Sequence, residues 1–144
     1  MKSENELLLH IYESAEMGYS AITDILNELK NKENKIKKAL EDELKEYEKF
    51  HKEALKLLKK EKIETKENKM SKMMAKMGIK KEVMSDNSDS KIALVLTQGL
   101  VMGVTKITAK INSYKDSLPK SHLSLANDYK KFQENSIEKL KAYL

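Results

Sequence analysis

Four long stretches of the chain carry apolar residues at intervals of three and four, the spacing that places side chains along one face of an α-helix. The first runs from Leu8 to Leu29, the second from Ile36 to Leu58 and the third from about Lys91 to Tyr114, while the fourth follows Pro119. The 144 residues include only four Gly and one Pro, so little interrupts these helices. The sequence therefore predicts an all-α protein with four long helices.

The connections between the four helices indicate how they are wired. A short polar segment, NKEN at residues 31–34, joins helices one and two, and KDSLP joins helices three and four. Short links connect antiparallel neighbours, whereas the long stretch between the two pairs can return the chain to the opposite end of a bundle. We predict one domain over residues 1–144, an antiparallel four-helix bundle made of hairpin 1 (about 3–61), a crossover (about 62–90) and hairpin 2 (about 91–144).

The predicted crossover contains a cluster of methionines. Met70, Met73, Met74 and Met77 lie at helical spacing before Gly78, which predicts a short helix. Thioethers bind Cu(I), but methionine stripes without adjacent His or Cys are more often adaptable packing surfaces. The segment Met70–Met77 is therefore a candidate docking surface for a partner protein.

Charge and composition exclude several classes of function. The net charge is +5, but every basic residue is a lysine and the lysines alternate with glutamates, which is typical of solvated helix faces and not of specific nucleic-acid recognition. The absence of cysteine excludes disulfides and thiolate chemistry. The first residues show no signal-like run, and the most apolar stretch, Ile92–Ile107, is interrupted by Thr and Gln and predicts no membrane span. We expect a cytoplasmic protein.

The two halves of the chain resemble each other. YEKFHKEALKLL (Tyr47–Leu58) and YKKFQENSIEKL (Tyr129–Leu140) share Tyr, Lys, Phe and Leu at the same places. Helices one and three match in the same order, with Gly18 opposite Gly103. Two ordered blocks indicate an internal repeat of one helical hairpin. The shared Tyr, Phe and Leu residues are predicted to pack in both halves, while the chemically active positions between them have changed.

Three side chains of the first half form the candidate site. Glu48 and His51 are three residues apart and share one face of helix two. The apolar stripe of that helix passes through Leu44 and His51, which predicts that this face is buried. Glu16 has Val101 as its counterpart in the repeat, so it too is predicted to face inward. An inward carboxylate is costly unless it is protonated, paired or bound to a cation.

One inward Glu on the first helix and Glu-x-x-His on the second resemble half of the di-iron carboxylate site of ferritin-like four-helix bundles. The resemblance covers essentially the whole chain, because a crossover between two hairpins is also a feature of that family. It implies that Glu16, Glu48 and His51 are metal ligands. It also implies iron or manganese as the metal, with zinc less suited.

The second half departs from the family pattern. Val101, Lys130 and Gln133 stand where the resemblance requires a second Glu, Glu and His, so a standard two-metal centre is not expected. In one hypothesis a single ion binds to the three remaining ligands, with Gln133 or Glu13 as an auxiliary ligand. In a second hypothesis, no metal binds, and the Lys130 ammonium group takes the place of the metal charge beside the two carboxylates. In a third, these residues reach the surface and the resemblance is misleading.

Two functions follow from these hypotheses. The first is a ferritin-like protein with a reduced, mononuclear or vestigial metal site and no indicated catalysis. The alternative is a non-catalytic structural or protein-interaction bundle. In either case we expect a homodimer or another homo-oligomer. Glu43 is left between the interior and the edge of the bundle, while His10 and His122 have no carboxylate at useful spacing and are given no role.

Overall fold

Four α-helices make up most of the residues that the structure, a computed structural model, describes, namely residues 3–65 and 86–144. They are α1 (Ser3–Glu28), α2 (Lys37–Lys60), α3 (Asp89–Tyr114) and α4 (Lys120–Lys141). No strand occurs in these two ranges, and the prediction of an all-α protein with four long helices is confirmed. The predicted short helix at Met70–Met77 lies outside the described residues.

The helices pair into two hairpins, α1 with α2 and α3 with α4. Tyr12 stacks on His51 and Gly18 lies against Tyr47, so residue numbers rise along α1 as they fall along α2. The two helices of this hairpin therefore run in opposite directions.

A carboxylate of α3 caps the start of α2. The first turn of α2 has no side-chain cap from its own N-cap residue. Instead, Asp89 accepts hydrogen bonds from the backbone N–H groups of Lys35 (3.2 Å) and Ile36 (3.5 Å) and from the side-chain amide of Asn34 (2.9 Å). This contact satisfies otherwise unpaired donors at the helix start and holds the starts of α2 and α3 together.

Four aromatic rings join the two hairpins. Phe50 stacks on Phe132, with 5.4 Å between the ring centroids, and meets the ring of Tyr129 edge-on at 5.2 Å. Tyr47 meets Phe132 edge-on at 5.0 Å. The predicted packing role of the shared Tyr and Phe residues is confirmed. Because these rings are large and mutually oriented, they also fix how α2 is rotated about its axis.

The buried residues of α2 differ from the predicted ones at two points. Glu43 and Phe50 are buried, whereas Leu44 and His51 are only partly buried. Phe50 packs between the hairpins in the place that the sequence analysis gave to His51, and Glu43 lies on the same side of the helix as Phe50. Glu48 is turned outward by the same rotation, so the prediction that it faces the interior is wrong.

α3 leaves a large uncharged surface exposed. Its core face passes through Leu96 and Leu100, whereas Leu94 and Val101 are 42% and 50% exposed. The prediction that Val101 faces inward is therefore wrong. α3 is longer than the apolar stretch considered above, and its length and composition are sufficient for a membrane span, although core helices of soluble proteins meet the same criterion. Only 28% of the most apolar 18-residue segment of α3 is buried.

Candidate ligand-binding groove

A groove runs between α1 and α3 on one side of the bundle, with a volume of about 560 Å³. Three glycines lie along it, Gly18 on α1 and Gly99 and Gly103 on α3, so backbone forms part of its walls. Near one end, Glu6 of α1 accepts a hydrogen bond of 2.9 Å from the ammonium group of Lys110. This ion pair ties α1 to α3 where the groove ends.

The walls of the groove are mainly apolar. They include Met17 and Ile22 from α1 and Leu96, Leu100 and Met102 from α3. Met17 and Met102 keep 36% and 59% of their surface exposed, so these flexible side chains border the open side of the groove. Apolar walls with a few polar groups are the usual lining of pockets that bind small molecules.

The floor of the groove is polar and comes from the other two helices. Glu43 of α2 and Gln133 of α4 line it, and both are buried. One oxygen of each side chain, Glu43 Oε2 and Gln133 Oε1, has no hydrogen-bond partner among the described residues. An unpaired buried polar atom costs about 1–3 kcal/mol, so a donor that reached these oxygens would be stabilised.

Glu43 is the acid of this floor. Burial raises the pKa of its carboxyl group to about 7. Two neighbours on α4 oppose this shift, because the Ser136 hydroxyl group donates a hydrogen bond and the Lys139 ammonium group attracts the ionised form. Near neutral pH the carboxyl group therefore populates both its protonated and its ionised form.

His10 and Glu13 line the groove from α1. Burial, reinforced by the charges of Lys110 and Lys106, lowers the pKa of His10 to about 4, so its ring is neutral at neutral pH. Its Nε2 atom also lacks a hydrogen-bond partner within the described ranges. Glu13 is partly buried. The two predicted auxiliary ligands, Glu13 and Gln133, thus both lie on the groove.

Two buried tyrosines lie close to the floor. Tyr47 lines the groove, and the Tyr129 hydroxyl group is 2.7 Å from the hydroxyl oxygen of Ser14. Burial raises the pKa of Tyr47 and of Tyr129 well above the usual value. Both phenols therefore stay un-ionised, and that of Tyr47 adds a polar but uncharged group beside Glu43.

The three predicted metal ligands are not arranged as a metal site. Glu48 is exposed and forms an ion pair of 2.9 Å with Lys52, one turn further along α2. His51 is partly buried with its ring stacked on Tyr12 at 4.3 Å, and Glu16 is partly buried on α1. Within residues 3–65 and 86–144, no group of three His, Cys, Asp or Glu side chains could hold a metal ion. These residues do not fit the ion that the resemblance implies.

The charge network predicted around Lys130 lacks one of its members. Lys130 is partly buried on α4, but Glu48 pairs with Lys52 at the surface. Among the described residues, the carboxyl group that is buried in the interior is that of Glu43, a position that the sequence places between the interior and the edge. The predicted site and the observed groove therefore share Gln133 and Glu13 but have different principal acids.

No protein-family model, curated protein or solved structure matches this chain. The resemblance to ferritin-like bundles therefore rests on the residues quoted from the sequence. What the groove can do chemically follows from its own geometry. An acid that ionises near neutral pH and an amide oxygen at the bottom of an apolar groove are suited to binding a hydrogen-bond donor.

Proposed function

We propose that this chain is a non-catalytic helical bundle that works by association, and that its partner is a second copy of itself. The proposed contact is the outward face of α3, which consists of Leu94, Gln98, Val101 and Thr105. All four residues are exposed and none carries a charge. This uncharged face is the observation that carries the proposal.

The outward face of α3 is unusual for this chain, in which 35% of residues are charged. No charged residue occurs from Ile92 to Thr105, although about half of the surface of Val101 and of Leu94 is open to solvent. Exposed apolar groups that share one face of a soluble protein commonly mark a contact surface. Burying them against a partner would remove this surface from water and stabilise the complex.

A second copy fits this face for two reasons. Its four residues follow one another at intervals of four, three and four, so they form one stripe along α3. A twofold axis would bring the stripes of two copies together, each pairing with the same residues of the other. Two copies with a net charge of +5 also repel where their lysines meet, and the outward face of α3 lets them meet without lysines.

The proposal includes the ferritin-like wiring and the internal repeat that the sequence predicts. Burial supports the repeat, because matched positions of α1 and α3 are buried in both halves: Leu7 with Ile92, Leu8 with Ala93, Ile11 with Leu96, Ala15 with Leu100, and Ile22 with Ile107. The matched glycines Gly18 and Gly103 also each lie against a side chain of the other helix in their own hairpin, Tyr47 and Gln133.

The substitution Val101→Lys tests the proposed association. Wild-type protein is expected to have the molar mass of a dimer, and Val101→Lys that of a monomer, because two ammonium groups would be buried close together across the twofold axis. Light scattering during size-exclusion chromatography over a range of concentrations measures this.

Asn127→Lys is the matched control for this experiment, because it adds the same charge at an exposed position of α4, a helix that does not contribute to the outward face of α3. It is expected to leave the molar mass unchanged. Wild-type protein that is monomeric at every concentration would contradict the proposal. Wild-type protein that floats with lipid vesicles, and no longer does so with Val101→Lys, would instead make this face a membrane-binding surface.

Metal content tests the first function predicted from the sequence. Because Glu48 is exposed and paired with Lys52, we expect protein purified without a histidine tag to carry no stoichiometric iron, manganese or zinc. Elemental analysis by mass spectrometry measures this directly. One equivalent of metal in the wild type that disappears in His51→Ala, but not in His122→Ala, would contradict this expectation and support a mononuclear site.

A further inference from the structure

Two buried oxygens at the floor of the groove have no hydrogen-bond partner among the described residues, Glu43 Oε2 and Gln133 Oε1. Glu43 is 6% exposed and Gln133 is 3% exposed, and the two side chains reach the groove from different helices. Buried polar atoms of folded proteins are nearly always satisfied. Neither oxygen is itself open to solvent, but both side chains line the groove, so a ligand that enters it reaches the two oxygens once these side chains turn toward it.

The chemistry of the floor selects the type of ligand. The side-chain amide of Gln133 lies against Gly103, which also lines the groove, so a half-turn of the amide plane presents its oxygen there in place of its nitrogen. An ionised Glu43 carboxylate only accepts hydrogen bonds, and so does an amide oxygen. A primary ammonium group carries three N–H donors and a positive charge, whereas a hydroxyl group carries one donor and a carboxylate carries none.

The walls above the floor determine the rest of the ligand. Met17, Leu96 and Leu100 offer apolar contact, while Gly99 leaves space beside them. An alkyl chain in this position would lose contact with water and gain contact with these side chains. The volume of about 560 Å³ is of the size found for small-molecule pockets.

The charges on the groove side of Glu43 are compatible with a cation. Lys110 is held in its ion pair at one end, and His10 is neutral at neutral pH because its pKa is lowered to about 4. Glu13 adds a carboxyl group on α1, and Lys106 is exposed at the rim of the groove. The charges of Glu13 and Lys106 are opposite and that of Lys110 is paired, so these groups do not repel a ligand with a single positive charge.

Glu43 also borders a second groove, between α2 and α4, where the charges of α2 balance, Asp42 and Glu46 against Lys45 and Lys49. On α4, two groups favour its ionised form. Ser136 donates a hydrogen bond to the carboxyl group, and Lys139 attracts its negative charge. Tyr47, one turn along α2, stays un-ionised because burial raises its pKa. A bound cation would act in the same direction as Ser136 and Lys139, so its binding would expel the proton from the carboxyl group.

We propose that the groove binds a small primary alkylammonium ion. Its nitrogen donates hydrogen bonds to Glu43 and Gln133, and its alkyl chain lies between the apolar walls. This binding is independent of the association proposed above, because the groove and the outward face of α3 are formed by different residues of that helix.

Titration with three probes of equal chain length tests the proposal. Hexylammonium, hexanol and hexanoate are added separately to isotopically labelled protein, and backbone amide resonances are followed by NMR. Hexylammonium is expected to shift the resonances of Gly99 and Gly103 and to bind at least about tenfold more tightly than the other two. Because the pKa of Glu43 is about 7, its affinity is also expected to be at least about tenfold higher at about pH 8 than at about pH 5.5.

Three variants identify the binding site. Glu43→Gln keeps the shape of the side chain without its charge and is expected to lose the preference for hexylammonium over hexanol. Gly99→Leu is expected to weaken every probe by filling the groove, at a position where a Cβ atom has no neighbour within 4 Å. Glu46→Gln changes an exposed carboxylate of the same helix and is expected to bind like the wild type.

The proposal is overturned by any of three results. The first is equal affinity for hexylammonium and hexanol in the wild type. The second is hexylammonium binding that neither Glu43→Gln nor the change of pH weakens. The third is the absence of binding by all three probes, which would mean that water alone satisfies the two oxygens.

Discussion

The free energy of unfolding of the wild type, relative to that of Glu43→Gln, is expected to fall by about 3 kcal/mol as the pH rises from about 4 to about 8. The cause is the buried carboxyl group of Glu43, which must give up a proton in a place from which water is largely excluded. Glutamine at this position is uncharged at every pH, so the comparison isolates this ionisation.

The direction of the effect follows from the two pKa values. The pKa of Glu43 is about 7 in the folded protein, against 4.5 for an ordinary glutamate in the unfolded chain. The folded state therefore binds the proton more tightly, and the stabilising contribution is complete below pH 4.5. It is lost as the pH rises through about 7, and the difference of about 2.5 pH units corresponds to about 3 kcal/mol.

Urea unfolding of both proteins at a series of pH values measures this difference. Glu46→Gln is the control, because that carboxylate is exposed on the same helix and its removal is expected to leave the pH dependence of the wild type unchanged. A constant difference between the wild type and Glu43→Gln across the whole pH range would show that Glu43 is not buried in its protonated form.

His10 makes the comparison with Glu43→Gln necessary. Its pKa is lowered to about 4 in the folded protein, so its contribution to stability is present above its ordinary value of 6.5 and is lost as the pH falls toward 4. Between about pH 4.5 and 6.5 the two groups act in opposite directions. The wild type alone would therefore show a shallower pH dependence than either group produces.

The sequence was sufficient to predict the four helices, because each keeps the helical spacing of apolar residues over a long stretch that few glycines or prolines interrupt. It was not sufficient to predict how α2 is rotated. After Leu40, a step of three reaches Glu43 and a step of four reaches Leu44, and the second choice looked better because leucine is apolar. Packing sets the rotation of α2 instead, because only the rotation that buries Phe50 lets it stack on Phe132.

The same rotation explains why the predicted metal site and the observed groove differ. A stripe that passes from Leu40 to Leu44 places Glu48 and His51 inside, which is what the sequence predicts. With the stripe passing through Glu43 and Phe50, Glu48 reaches the surface and pairs with Lys52. A stricter alternation of three and four from Ile36 onward would have indicated Glu43 as the buried acid. The groove itself could not be predicted, because it depends on the distance between α1 and α3, and the spacing of residues within each helix does not determine that distance.

Gly18→Ala is the second substitution with a large expected effect, and it is expected to lower the free energy of unfolding by about 2 kcal/mol. A Cβ atom at this position would overlap the ring of Tyr47. The ring is buried and is held edge-on against Phe132 at 5.0 Å, so it cannot give way without disturbing the aromatic cluster. The Tyr47 ring could otherwise move only into the groove, which it would then partly fill.

Two further glycines of the groove provide controls for this substitution, and denaturant unfolding measures all three. At Gly99 a Cβ atom meets nothing within 4 Å, so Gly99→Ala is expected to stabilise the helix by about 0.5–1 kcal/mol. At Gly103 the contact is with the end of the Gln133 side chain, which can rotate, so Gly103→Ala is expected to lie between the other two variants. The same added methyl group is therefore expected to change the free energy of unfolding over a range of about 3 kcal/mol, in an order that follows what each glycine contacts. Equal stability of Gly18→Ala and Gly99→Ala would mean that α1 and α2 are not in the close contact that Gly18 and Tyr47 make.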